Sequence, residues 1–158
     1  DHHITHAYTS PQKRAVHTTE EILVYHVDAK VDHVDDLREQ NLGKLSAFPK
    51  NIVREFHKQT GLPFANFCPE EGESYLDVQK RATKFFHELL QKHKKDDVIL
   101  IITHGGTLGM LLLHILEKEI TEENYKAHKS GNTAFSIFEI MEDKKVKVHK
   151  INSVEHLI

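Results

Sequence analysis

The sequence predicts an α/β sandwich, and three observations carry that prediction. Residues 98–102, Val98-Ile99-Leu100-Ile101-Ile102, are a continuous apolar run with no polar alternation, as in a parallel strand buried on both faces. Strand-like segments are separated by helical ones along the chain, the order that lays helices against a sheet. Two further strand-like runs, 134–140 and 145–151, close the chain as a hairpin across Met141-Glu142-Asp143-Lys144.

Taken in order, residues 4–9 read as the first strand. Ser10-Pro11 follows; Ser is a good N-cap and Pro is preorganised for the first helical position, so a helix is expected from there to about Tyr25. Ala15, Ile22 and Leu23 would face a core, with Arg14 held in the first turn. Residues 31–37 are taken as a second strand that ends in Leu37-Arg38-Glu39. Residues 48–59 read as a helix stopped by Thr60-Gly61-Leu62-Pro63, where Gly suits the C-terminal turn and Pro prevents continuation. Residues 64–72 are loop, and Ser74 with Asp77 three residues on resembles a capping box. The next helix is the clearest: Val78, Ala82, Phe85, Phe86, Leu89 and Leu90 form one apolar stripe at helical spacing. It must pack on something flat. A polar break at 92–97 precedes the strand at 98–102, and Thr103-His104-Gly105-Gly106 turns the chain into an apolar helix from Thr107 to about Leu116.

Composition narrows the function. A chain of 158 residues fits one domain, which at that size buries close to 70% of the surface its unfolded form exposes. With 21 Lys+Arg against 24 Asp+Glu and a net charge of −3, no strongly basic face is available for nucleic acid. The single Cys68 allows no intramolecular disulfide framework and points to a reducing, cytoplasmic setting. No apolar run approaches the roughly 18 residues of a membrane span, and no signal peptide is read at the start. The 14 histidines are the unusual number. His57, His87, His93, His128, His149 and His156 fall on polar stretches and are expected to be solvated. His2, His3 and His6 are weighed as metal ligands or a residual tag and set aside. There is no H-E-x-x-H pairing and no Cys/His zinc spacing, so neither a metal nor another cofactor is expected.

In an open α/β sheet, ligands bind beyond the carboxyl ends of the parallel strands, so the residues just after each strand matter most. Three groups stand there: Arg14 after the first strand, Glu39 after the second, and His104-Gly105-Gly106 after the apolar one. Arg14 offers a fork that holds phosphate or carboxylate, and the glycines let a helix N-terminus approach an anion. Singly, Arg14 and Glu39 are ordinary surface charges and H-G-G is a weak motif. Their coincidence at equivalent strand ends points to an anionic substrate.

These residues also stand in the motifs of a known family. Tyr8-Thr9-Ser10-Pro11-Gln12-Lys13-Arg14-Ala15, Leu37-Arg38-Glu39 with Gly43, Pro69-Glu70-Glu71-Gly72-Glu73-Ser74 and Ile102-Thr103-His104-Gly105-Gly106 resemble, in order, the motifs of the histidine phosphatase superfamily. Asn132-Thr133 and the segment from Ile151-Asn152 to His156-Leu157 fit as well, so the resemblance spans essentially the whole chain. It implies a three-layer α/β/α sandwich with a mostly parallel sheet, phosphoglycerate mutase-like. It also implies that Arg14, His104 and Gly105 bind the phosphoryl group, with His104 stabilising its oxygens and Glu39 acting as the acid/base for the leaving group. Glu73 and Ser74 have the stronger claim to a structural role. The family opens with a strand ending in R-H-G, whose His is phosphorylated, and no such motif occurs here. The expectation is a single domain, 1–158, incomplete at its N-terminus and missing the first, central strand and the first helix. Where many members carry G-x-x-E-G, this chain has Gly43-Lys44-Leu45-Ser46-Ala47. The short stretch from Glu39 to Glu73 favours a phosphomonoesterase acting on a small phosphorylated metabolite over a mutase. The alternative is an inactive phosphate-binding module of the same fold, with a histidine-rich metal binder a remote third. Nucleic-acid and membrane partners are not expected, and a homodimer is left open.

Overall fold

The structure is a computed structural model that describes residues 3–157; His2 lies outside them. Strands β1 (His6–Thr9), β2 (Lys30–His33) and β3 (Ile99–Ile102) form a parallel sheet in the order β2-β1-β3. Strands β4 (Phe135–Ile140) and β5 (Val146–Ser153) pair antiparallel as a second sheet. The helices are α1 (Lys13–Leu23), α2 (Lys50–Thr60), α3 (Tyr75–Lys92), α4 (Gly105–Ile115) and α5 (Glu122–His128).

Strand alternation assigns the two faces of the parallel sheet. Tyr8 pairs in register with Ile101 and His6 with Ile99, and Tyr8, Ile99 and Ile101 pack with Leu37, Phe85 and Leu89 of the α3 layer. Thr9 points the other way, toward Val16, Thr19 and Leu23 of α1. The result is an α/β/α arrangement, with α3 also packed on α4 through Ala82, Phe86 and Leu111 and through Val78, Met110 and Leu113. Each large apolar side chain buried in this way stabilises the fold by about 1.5–3 kcal/mol. The Ser74–Asp77 capping box forms as expected: the Ser74 hydroxyl accepts from the Asp77 amide and the Asp77 carboxylate accepts from the Ser74 amide.

Several expectations are corrected. Helix α1 starts at Lys13, with Gln12 as its N-cap and no side-chain cap. Ser10 precedes the cap: its hydroxyl accepts from the Gln12 amide at 3.3 Å and meets the His104 Nε2 at 2.8 Å. The strand expected over 31–37 ends at His33. Residues Asp35–Leu37 form a 3-10 turn that swings Leu37 into complete burial. All four residues of β2 are exposed, as befits an edge strand. Strand β3 was expected to be buried on both faces, yet each of its residues is only half-buried. Among the described residues its one strand neighbour is β1, and its other edge opens on a cleft facing the β4–β5 hairpin. The sequence reading assigned no helix to 122–128; α5 forms there, capped by Thr121, whose hydroxyl accepts from the Asn124 amide. His93, expected at the surface, has a side chain only 8% exposed. Among the described residues, no helix is long and apolar enough to cross a membrane.

Candidate active site

The parallel register brings the ends of β1 and β3 level, since Thr9 pairs with Ile102, and the Ser10 amide continues the ladder by donating to the Ile102 carbonyl at 2.9 Å. Ser10 and His104, 94 residues apart, thus leave adjacent strands side by side. The His104 Nε2 lies 2.8 Å from the Ser10 Oγ. Arg14, in the first turn of α1, donates from Nε to the His104 Nδ1 at 3.0 Å, and its Nη2 donates to the Gln12 Oε1 at 2.9 Å. An imidazole nitrogen that accepts from a guanidinium carries no proton, so His104 is neutral here with its proton on Nε2. Burial holds the His104 pKa below its usual value, and the Arg14 charge lowers it further. The pair is therefore one permanent cation and one neutral donor.

Glu39 reaches the same place from the 3-10 turn. Its Oε2 accepts from the Gly106 amide at 3.1 Å and its Oε1 from the Gln40 amide at 2.9 Å. The Gly106 bond places the carboxylate at the N-terminus of α4, where peptide dipoles favour negative charge. The glycine leaves room for this contact: a Cβ on Gly106 would stand 2.3 Å from the Glu39 Oε1 and displace the carboxylate. Gly105 meets nothing so close, its virtual Cβ lying 3.9 Å from the Ser130 carbonyl oxygen. The turn carrying Glu39 is pinned to β3 and α4, since the Thr103 hydroxyl donates to the Leu37 carbonyl at 2.7 Å and the Thr107 hydroxyl to the Arg38 carbonyl at 2.5 Å.

Arg14, Glu39, His104 and the two glycines therefore meet on one wall of the cleft. Glu73 takes a supporting place. Arg81 grips both its carboxylate oxygens, at 2.9 and 3.2 Å, and the Asn41 amide donates to it at 3.0 Å. Sequence reasoning missed Ser10 as the partner of His104 and Gln12 as the link between Arg14 and the Glu39 amide. It also missed the aromatic wall of Phe64, Tyr75 and Tyr125, whose ring centroids lie 4.6–5.5 Å apart. Burial drives the phenol of Tyr75 far above its ordinary range, with further contributions from Tyr125 and Glu39. Phe64 lies in the stretch read as loop, Tyr75 directly after the Ser74 cap and Tyr125 in a segment given no reading, so aromatic composition was the only signal.

The cleft occupies about 2770 Å³ and runs between β3 and β4, with α4 along one side. Small-molecule pockets commonly measure about 300–1,000 Å³, and this half-open cleft exceeds them.

The sequence profile described as histidine phosphatase superfamily (branch 1) matches residues 1–153. Phosphoglycerate mutase-like protein 4 of Arabidopsis thaliana is 25% identical over 98% of this chain and 66% of its own length. A 2,3-bisphosphoglycerate-dependent phosphoglycerate mutase of Cytophaga hutchinsonii is 30% identical over 77% of the chain and 60% of its length. A metal-independent phosphoserine phosphatase of Arabidopsis thaliana is 26% identical over 95% of the chain and 62% of its length. The chain thus spans less than two thirds of the length of these relatives. Among solved structures, Bacillus stearothermophilus YhfR superposes with a TM-score of 0.83 at 22% identity, over 98% of this chain and 77% of that one. A mycobacterial glucosyl-3-phosphoglycerate phosphatase complexed with VO3 superposes at 0.75 with 20% identity, over 95% and 77%. Fold, motif order and profile agree: the chain belongs to branch 1 of the histidine phosphatase superfamily.

Proposed function

We propose that this chain carries the phosphate-binding and acid/base half of a phosphomonoester hydrolase, and that a preceding strand ending in R-H-G supplies the nucleophilic histidine. One observation carries the reading. Among the described residues, β3 and β4 face each other across an apolar cleft, each paired on one edge only, and Arg14, Glu39 and His104 stand at one end of it. A strand laid in that gap would pair with both open edges and deliver its last residues beside Arg14 and His104.

The chemistry then divides among named groups. Arg14 and the Nε2–H of His104 donate to the nonbridging oxygens of the phosphoryl group, where fixed donors in a dry site stabilise the transition state best. The supplied histidine nitrogen attacks phosphorus as the ester P–O bond breaks. Glu39, in its acid form, gives its proton to the departing alkoxide. Water then attacks the phosphohistidine, Glu39 takes the proton it loses, and inorganic phosphate leaves. A hydrolase suits the short span between Glu39 and Glu73 better than a mutase does. A second reading is a phosphate-binding module with no turnover, which would use the same Arg14, His104 and Gly105-Gly106 amides.

The test is hydrolysis of p-nitrophenyl phosphate by this chain alone and by the chain extended through the coding sequence upstream of Asp1. Turnover, with an acid-labile phosphohistidine, is expected only in the extended form, and Glu39→Gln should lower it at least a hundredfold. Absence of R-H-G upstream, with tight vanadate binding by the chain alone, would establish the binding module instead.

A further inference from the structure

At the opposite end of the parallel sheet, three side chains that play no part in phosphoryl transfer converge. One ring nitrogen each of His6 and His93 and one carboxylate oxygen of Asp97 lie within 4.8 Å of one another. They come from three elements: the first residue of β1, the C-cap of α3 and the turn that leads into β3. We propose that His6, His93 and Asp97 bind a late first-row divalent cation, Zn²⁺ being the best match, with water completing the shell. Two imidazoles and a carboxylate are a donor set that such cations favour.

The geometry is near to what a metal requires. No two of the three donors are more than 4.8 Å apart, and the His93–Asp97 pair is closer still, so shifts of under about 1 Å bring all three to the usual ~2.1 Å from one ion. The orienting groups of a metal site are also in place. The His93 Nε2 lies 2.7 Å from the Tyr8 hydroxyl, and its Nδ1 lies 2.9 Å from Asp97. A metal-bound imidazole is steered by the hydrogen bond its other nitrogen makes, and the buried Tyr8 provides that bond. Asp97 is braced by the Lys94 amide, which donates to its Oδ2 at 3.1 Å. The backbones that carry the ligands are tied together, since the Thr5 amide donates to the Val98 carbonyl at 2.9 Å. The nearby cation, Lys92, stands over the Tyr8 ring, 5.2 Å from its centroid, and also reaches Asp32 at 3.4 Å. A bound ion would clamp the entry of β1 to both ends of the α3–β3 turn, so its role is structural.

The test is titration of Zn²⁺ and Co²⁺ into tag-free protein, read by calorimetry, by the visible spectrum of the Co²⁺ form and by thermal unfolding. One equivalent is expected to bind, with a four-coordinate Co²⁺ spectrum and a higher Tm. His6→Gln and Asp97→Asn should each abolish the spectrum and the Tm rise, while Tyr8→Phe should weaken affinity about 10–100-fold. His6 and Asp97 are only half-buried, so both variants are expected to fold, and circular dichroism verifies it. His149→Ala, on the exposed β5, serves as the control and should change nothing. Absence of uptake by the native chain, or an unchanged Co²⁺ spectrum in the His6→Gln/Asp97→Asn double variant, would overturn the proposal.

Discussion

The two ends of the parallel sheet each hold a histidine with both ring nitrogens engaged, and they differ in the charge of the partner. At the carboxyl end, the His104 Nδ1 accepts from the Arg14 guanidinium while Nε2 meets Ser10. At the amino end, the His93 Nδ1 faces the Asp97 carboxylate while Nε2 meets Tyr8. A cationic neighbour keeps an imidazole neutral and leaves Nε2–H as its one donor. An anionic neighbour completes a donor set for cations. The same residue type, similarly enclosed in one small fold, is thereby suited to opposite ligands.

Breaking one end should spare the other. The largest effect is expected from Arg14→Ala. Losing a charge-assisted donor fork costs about 3 kcal/mol, so the vanadate affinity of the chain should fall about a hundredfold while Zn²⁺ uptake is unchanged. Equal loss of both would show that the two ends are not independent.

Gly106→Ala sharpens the comparison from the steric side. The added methyl would stand 2.3 Å from the Glu39 Oε1, the free end of a flexible side chain, so the expected cost is that of the displaced Gly106–Glu39 bond, about 1 kcal/mol. Urea unfolding should show that loss. A variant as stable as the native chain would mean that Glu39 moves away at little cost.

A smaller effect follows from protonation. The folded pKa of His104 lies below its ordinary 6.5, so as pH falls below about 6.5 the unfolded chain binds this proton before the folded one. Stability contributed at His104 is fully present above that pH and is lost as pH drops toward the folded pKa. Native Tm should therefore fall more steeply than that of His104→Gln between about pH 7 and 5. Parallel profiles would contradict the assignment. The smallest change is Ser74→Ala, which removes an N-cap worth about 1 kcal/mol and should lower Tm by about 2–4 °C. Both ligand-binding ends should remain intact.

Much of this was legible along the chain because the signals are local. The α3 stripe and the Ser74–Asp77 box lie within a few turns of one helix, and the apolar strand at 98–102 is a contiguous run. Errors arose where a long-range partner outbid the local preference. Ser10 looks like a helix cap, yet it precedes the cap and its hydroxyl meets His104, 94 residues on. Residues 35–37 look extended until the buried surface of α3 draws Leu37 inward. His93 sits in a polar run, yet β1 covers it through Tyr8 and His6.

By itself the sequence determined the element order, the α/β class and the three strand-end groups, because periodicity, capping and turn chemistry act over a few residues. Only the tertiary structure decided what those groups do to one another. That His104 is a neutral donor beside Arg14, that Gly106 admits Glu39, and that His6, His93 and Asp97 share a corner all follow from strand register. Register is set by burial across the whole sheet and is not written in any single segment.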